Sequence, residues 1–172
     1  YETVMTLLSG LSSITKVSET GQYRRRLEIV DLLEIQLAST DFEKTRSEIN
    51  TLDILKEDEL TSGPLHWSGT IVGVKSPLKI RFSTEGKFHQ DLFKSTATIA
   101  HLNAELSDQS KSKSHINKDW SDEQVFYKNL GMGYIHPEMR EGQGEVALAL
   151  KDQLPTLLEF SDLKGVLHNH ST

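Results

Sequence analysis

The chain has 172 residues, 36% hydrophobic and 26% charged, which fits one globular domain or two small ones with a real core. With 19 Lys and Arg against 25 Asp and Glu the net charge is −6, so no overall basic field draws it to nucleic acid or an anionic membrane, and any DNA contact is local. No apolar run reaches spanning length, the start lacks a signal-peptide layout, and zero cysteines exclude disulfides, cysteinyl zinc, iron–sulfur clusters and a thiol nucleophile; a cytoplasmic protein without a membrane partner is expected.

Val4, Leu7 and Leu8 stand at i, i+3 and i+4, which predicts an amphipathic helix over 1–9 ended by Gly10. Ile14 to Glu19 alternates apolar and polar as a half-buried strand, and Gly21 breaks it before the triplet Arg24, Arg25, Arg26. The almost unbroken apolar run from Ile29 to Leu37 predicts a central strand covered on both faces. Ser39, Thr40 and Asp41 carry cap chemistry for a short helix to Ile49, and an acidic stretch around Glu57 leads to the turn Ser62, Gly63, Pro64.

Leu65–Val74 and Leu78–Phe82 form a hairpin through Lys75, Ser76 and Pro77, with Gly69 and Gly73 weakening the first arm. Ser95 to Leu106 reads as one helix, and the polar stretch from Ser107 to His115 as a loop. Ser121 is the expected N-cap of a helix ended by Gly131 and Gly133. Pro137 opens a helical turn, Glu145 to Leu150 another, and Leu157–Phe160 and Gly165–Leu167 read as short extended pieces.

Several side chains carry two readings. The triplet Arg24, Arg25 and Arg26 either pairs with Glu19, Glu28 and Glu34, or Arg24 and Arg25 hold phosphate. Lys111, Lys113, His115 and Lys118 either touch DNA phosphates or belong to a solvated linker. His168 and His170, at i and i+2, either turn from a strand toward one divalent metal or sit idle, and a metal site there needs further ligands. Trp67, Trp120, Tyr127 and Tyr134 read as packing, and His66, His89, His101 and His136 lack metal spacing and read as ordinary polar residues.

Phe126 to Glu145, with Leu130-Gly131-Met132-Gly133-Tyr134-Ile135 and Pro137-Glu138-Met139-Arg140-Glu141-Gly142, resembles the end of the thumb in bacterial family X DNA polymerases. Asp162 to Thr172, with His168-Asn169-His170, resembles the first motif of the polymerase-and-histidinol-phosphatase (PHP) domain that follows it there. Glu19 to Glu34 resembles that family's palm motif, in which a Gly-Ser pair and an arginine hold the nucleotide triphosphate and two aspartates hold two magnesium ions. Gly21, Arg24, Arg25 and Glu28 fit it; Gln22 falls on the serine, Asp31 on a glycine, Leu32 and Glu34 on the two aspartates, and Lys79 on the third metal aspartate. Ser95 to His101 resembles the nucleotide-binding stretch and keeps Thr96 and His101.

The resemblance implies an α+β fold: a nucleotidyltransferase-type palm with a mixed sheet and flanking helices over 1–106, a linker over 107–118, a small α/β thumb over 119–160, and the start of a PHP domain over 161–172. It implies magnesium or manganese ions, gapped or primer-template DNA and deoxynucleotides in repair synthesis, with divalent metals in the PHP domain. With Leu32 and Lys79 in place of carboxylates, no intact catalytic set is expected, no metal is expected in the palm, and deoxynucleotide binding is doubtful. Three readings follow: a DNA-holding, polymerase-inactive segment that presents DNA to the PHP domain; a scaffold that braces that domain without touching DNA; or a transferase still working through Asp31 and Glu34.

Overall fold

The computed structural model describes residues 1–107 and 120–165. Five strands, β1 (Ile14–Thr20), β2 (Leu33–Ser39), β3 (Leu55–Glu57), β4 (His66–Ile71) and β5 (Pro77–Ser83), form one sheet in the order β1-β2-β5-β4-β3. β2 and β5 run parallel and the other neighbours antiparallel, so the fold is α+β with a mixed sheet and flanking helices. A parallel pair needs a crossover; α3 (Phe42–Ile49) and the β3–β4 hairpin supply it.

Side-chain alternation gives the sheet two unlike faces. Ile35, Leu37, Trp67, Leu78, Ile80 and Phe82 point into one core with Val4 and Leu8 of α1 (Glu2–Ser9) and Ile49 of α3. Register places Glu34 beside Lys79 and Gln36 beside Arg81 on the opposite face, with Ser68 and His66 next to these lysine and arginine positions on β4. α4 (Phe88–Thr96) covers part of this polar face, with Phe88 and Leu92 against Ala38. The Ser95 and Thr96 hydroxyls lie 2.6 and 3.1 Å from that of Thr20.

A second core gathers around α6 (Glu123–Asn129) and α7 (Glu145–Ala149), where Trp120, Phe126, Tyr127, Ile135 and Val146 enclose Phe93. Phe93 belongs to α4, so one helix rests on the sheet and fills the second core. α5 (Ile99–Ser107) leads away from α4, and α2 (Gly21–Arg24) is a single turn after β1. No helix among the described residues is long and apolar enough to cross a membrane.

Several expected boundaries change. β2 starts at Leu33, not Ile29, because the chain first turns: Arg26 takes φ 59°, and the Gln22 side-chain oxygen accepts from the Asp31 and Leu32 amides at 2.8 and 3.3 Å. Ile29 is left exposed. The single helix expected over Ser95–Leu106 is two: Ala97 is extended, and the Thr98 amide donates to the Arg140 carbonyl at 3.1 Å. The N-cap of α6 is Asp122 rather than Ser121, its carboxylate accepting from the Val125 amide at 2.8 Å. Leu157–Phe160 joins no strand, and Phe160–Asp162 is a 3₁₀ turn.

Gly69, expected to weaken β4, is required there. A Cβ would run into the Lys56 carbonyl of β3 and lie 2.6 Å from the Trp67 ring. The bare backbone lets the short strand β3, which the sequence pattern did not reveal, pair against β4.

Candidate functional site

The residues that align with metal carboxylates come together on the polar sheet face, but their charges are wrong for metal. Glu34 is buried in β2, Lys79 is its register partner on β5, and Leu32 stands half-buried just before β2. Arg81, two residues beyond Lys79 and so on the same face, donates from Nε and Nη2 to one Glu34 oxygen at 3.1 and 2.6 Å. Gly21 takes φ +62°, and a Cβ there would strike the Glu34 carboxylate. Gly21 therefore sets how closely α2 approaches the one retained acidic position.

Magnesium prefers octahedral oxygen ligands, usually from clustered carboxylates. Here the single carboxylate is neutralised by a guanidinium and flanked by an ammonium. Among the described residues no group of three or more His, Asp or Glu side chains is arranged for a metal ion. Glu34, Lys79 and Leu32 do not fit the two-metal centre that the resemblance implies.

The predicted phosphate-binding residues Arg24, Arg25 and Thr96 also meet, at the junction of the two cores. Arg24 forms a fork with Glu123 at 2.7 and 3.0 Å and donates to the Thr96 hydroxyl at 2.8 Å. Arg25 donates to Glu141 at 2.6 Å and to the Thr96 carbonyl at 2.6 Å. Arg140, fully buried, donates at 2.7 Å to Glu123 Oε2, the oxygen that Arg24 Nη2 also reaches, and packs over the rings of Phe93, Tyr127 and Tyr134. Burial alone would raise the Glu123 carboxyl, but hydrogen bonds and charge from Arg140 and Arg24 outweigh it and hold the pKa at about 2.

Of the carboxylates expected to pair with the triplet, Glu19 does so, at 3.3 Å from Arg26. Arg24 and Arg25 instead reach Glu123 and Glu141, 99 and 116 residues along the chain. No local pattern reveals such partners. His101, read as an ordinary polar residue, is buried: Nδ1 lies 2.6 Å from Glu145 and Nε2 lies 3.2 Å from the Tyr127 hydroxyl. The Glu145 carboxylate also accepts the Gly142 and Gln143 amides and so ties α5 to α7. Lys111, Lys113, Lys118, His168 and His170 lie outside the described residues.

A cavity of about 480 Å³ opens beside the polar face, lined by Gln36, His66 and Arg81 from the sheet and Asp91, Lys94 and Ser95 from α4. Sequence reasoning missed Arg81 and Lys94. The period-two spacing from Lys79 to Arg81 was the available signal.

No protein-family model matches the chain. It is 27% identical to the DNA polymerase/3'-5' exonuclease PolX of Bacillus subtilis (strain 168) over 96% of its own length. It spans 31% of that protein. The similarity runs through both cores and relates the chain to a family X DNA polymerase.

Proposed function

We propose that the chain is a family X palm-and-thumb segment that has lost nucleotidyl transfer and kept DNA as its partner. The palm would be 1–106 and the thumb 119–160, with 161–172 opening a PHP domain whose first metal ligands are His168 and His170. The observation that carries this reading is the register of Glu34 against Lys79, with Glu34 engaged by Arg81. Two-metal transfer needs clustered anionic oxygens to hold both ions and orient the primer hydroxyl. One neutralised carboxylate does not supply them. The similarity to a named DNA polymerase supports DNA as partner, and the segment's role is to hold DNA for the adjoining phosphoesterase.

The test is primer extension on gapped DNA with magnesium or manganese, paired with anisotropy binding at two salt concentrations. The expected result is no incorporation and binding that weakens with salt but ignores metal and deoxynucleotide. Template-directed incorporation overturns the loss of transfer. Absence of binding at low salt overturns the DNA role and favours a scaffold that braces the PHP domain, for which the net charge of −6 speaks.

A further inference from the structure

Lys79 standing where a metal carboxylate would be does more than remove a ligand. It puts a fixed positive charge on the face from which metal ions would otherwise present theirs. We infer that the face between β2, β5 and α4 binds a phosphate group directly, without a divalent metal, using Lys79 and Arg81 from the sheet and Lys94 from α4. This rests on the palm assignment above and deepens it by naming what the altered centre holds.

Three observations converge. Alternation puts Lys79 and Arg81 on one face, and the half-exposed Arg81 has Nη1 left over after its two bonds to Glu34. The cavity is lined by Arg81 from the sheet and Lys94 from α4, with Lys79 two residues back along β5 outside that lining, and its volume of about 480 Å³ falls within the usual range for small-molecule sites. His66, the register partner of Arg81, and the Ser95 hydroxyl add polar contacts on the same rim.

Charge decides the ligand. Arg81 and Lys94 line the cavity with Asp91, and Lys79 lies on the adjoining sheet face beside Glu34, so three cations stand against two carboxylates. Glu34 is already matched by Arg81, and burial pushes the Asp91 carboxyl up against the pull of Lys94 and Lys87. The balance favours an anion. A guanidinium and two ammonium groups suit phosphate oxygens, whereas a divalent cation would meet repulsion from all three.

The site is tested by calorimetric titration of the chain with inorganic tripolyphosphate, a deoxynucleoside triphosphate and a short single-stranded oligonucleotide, each in EDTA and in magnesium. The expected result is tripolyphosphate binding in EDTA that magnesium does not strengthen. It should weaken at least fivefold in Lys79→Gln and in Lys94→Gln, but not in Lys128→Gln on α6. Tighter binding of the triphosphate than of tripolyphosphate identifies a nucleotide as the phosphate source; tighter binding of the oligonucleotide identifies the DNA backbone. Lys79→Asp, which restores a carboxylate, should abolish binding in EDTA. Thermal melts of each variant separate lost binding from lost fold. Binding that requires magnesium, no tripolyphosphate binding, or equal affinity in folded Lys79→Gln and Lys94→Gln overturns the inference. Salt-sensitive binding of gapped DNA that persists in those cases leaves the DNA-holding reading standing, so the two fail separately.

Discussion

Two charge clusters lie near each other and use the same chemistry to different ends. At the junction of the cores the Arg140–Glu123 pair is sealed, the Glu123 side chain 5% exposed and Arg140 fully buried, with Arg24 at its edge 15% exposed. On the polar sheet face, Arg81 is 39% exposed while Glu34 is 11% exposed, and Lys79 stands alongside. A buried carboxylate between two guanidiniums is fixed because releasing either partner strands a charge away from water. Arg81 is the exposed member of its pair, so water screens its charge when it swings away, although Glu34 itself is buried. The junction joins two packed units, while the sheet face stays open to a ligand.

The junction should therefore break hardest. Glu123→Ala leaves Arg24 and Arg140 facing each other without their shared carboxylate. The expected loss is about 3–5 kcal/mol by urea denaturation, in the range for breaking a buried ion pair. A loss below about 1 kcal/mol would mean that the two cores do not depend on this contact.

Acid probes the same carboxylate without mutation. Folding lowers the Glu123 pKa from 4.5 to about 2, so the stability it adds is complete above the unfolded value and fades as pH falls toward 2. The contribution is about 3 kcal/mol at neutral pH. Glu145, also lowered as hydrogen bonds from His101 and the Gly142 and Gln143 amides outweigh its burial, adds in the same direction. In Glu123→Gln the acid limb of stability against pH should flatten. An unchanged slope would assign acid sensitivity elsewhere.

Gly21→Ala tests where the clusters meet, since Gly21 abuts Glu34 and starts the turn that carries Arg24. A side chain at φ +62° costs about 1 kcal/mol, and the collision with Glu34 raises the expected loss to about 2–3 kcal/mol. A neutral result would show that Glu34 is free to swing away.

The sequence made most of the scaffold legible because alternation and caps are local signals. Ile14 to Glu19 and Asp41 to Ile49 read correctly from period and N-cap alone. The α4 helix escaped because its apolar residues Phe88, Leu92 and Phe93 serve two cores, and β3 escaped because three residues carry no period. Of the site, Arg24 and Thr96 were each expected to bind phosphate, and that they bond to each other was not legible. Their closure by Glu123 was invisible, as a contact across 99 residues leaves no spacing. Register supplied the remaining fact: Lys79, which the resemblance had already put on a metal aspartate, stands directly beside Glu34 once β2 and β5 pair.

The smallest expected effect separates the clusters most sharply. In a double-mutant cycle of Arg81→Gln and Glu34→Gln, an exchangeable pair should couple by about 0.5–1 kcal/mol, because Arg81 is more than a third exposed and water recovers much of what the pair loses. The cycle cancels most of what each substitution does to packing, so it reads the pair itself. Coupling above about 2 kcal/mol would place Glu34 and Arg81 in the same class as the junction. Arg81 would then reach a phosphate through Nη1 alone, its other donors held in a second structural clamp. Weak coupling leaves Arg81 available, and the contrast between a sealed and an exchangeable use of arginine stands.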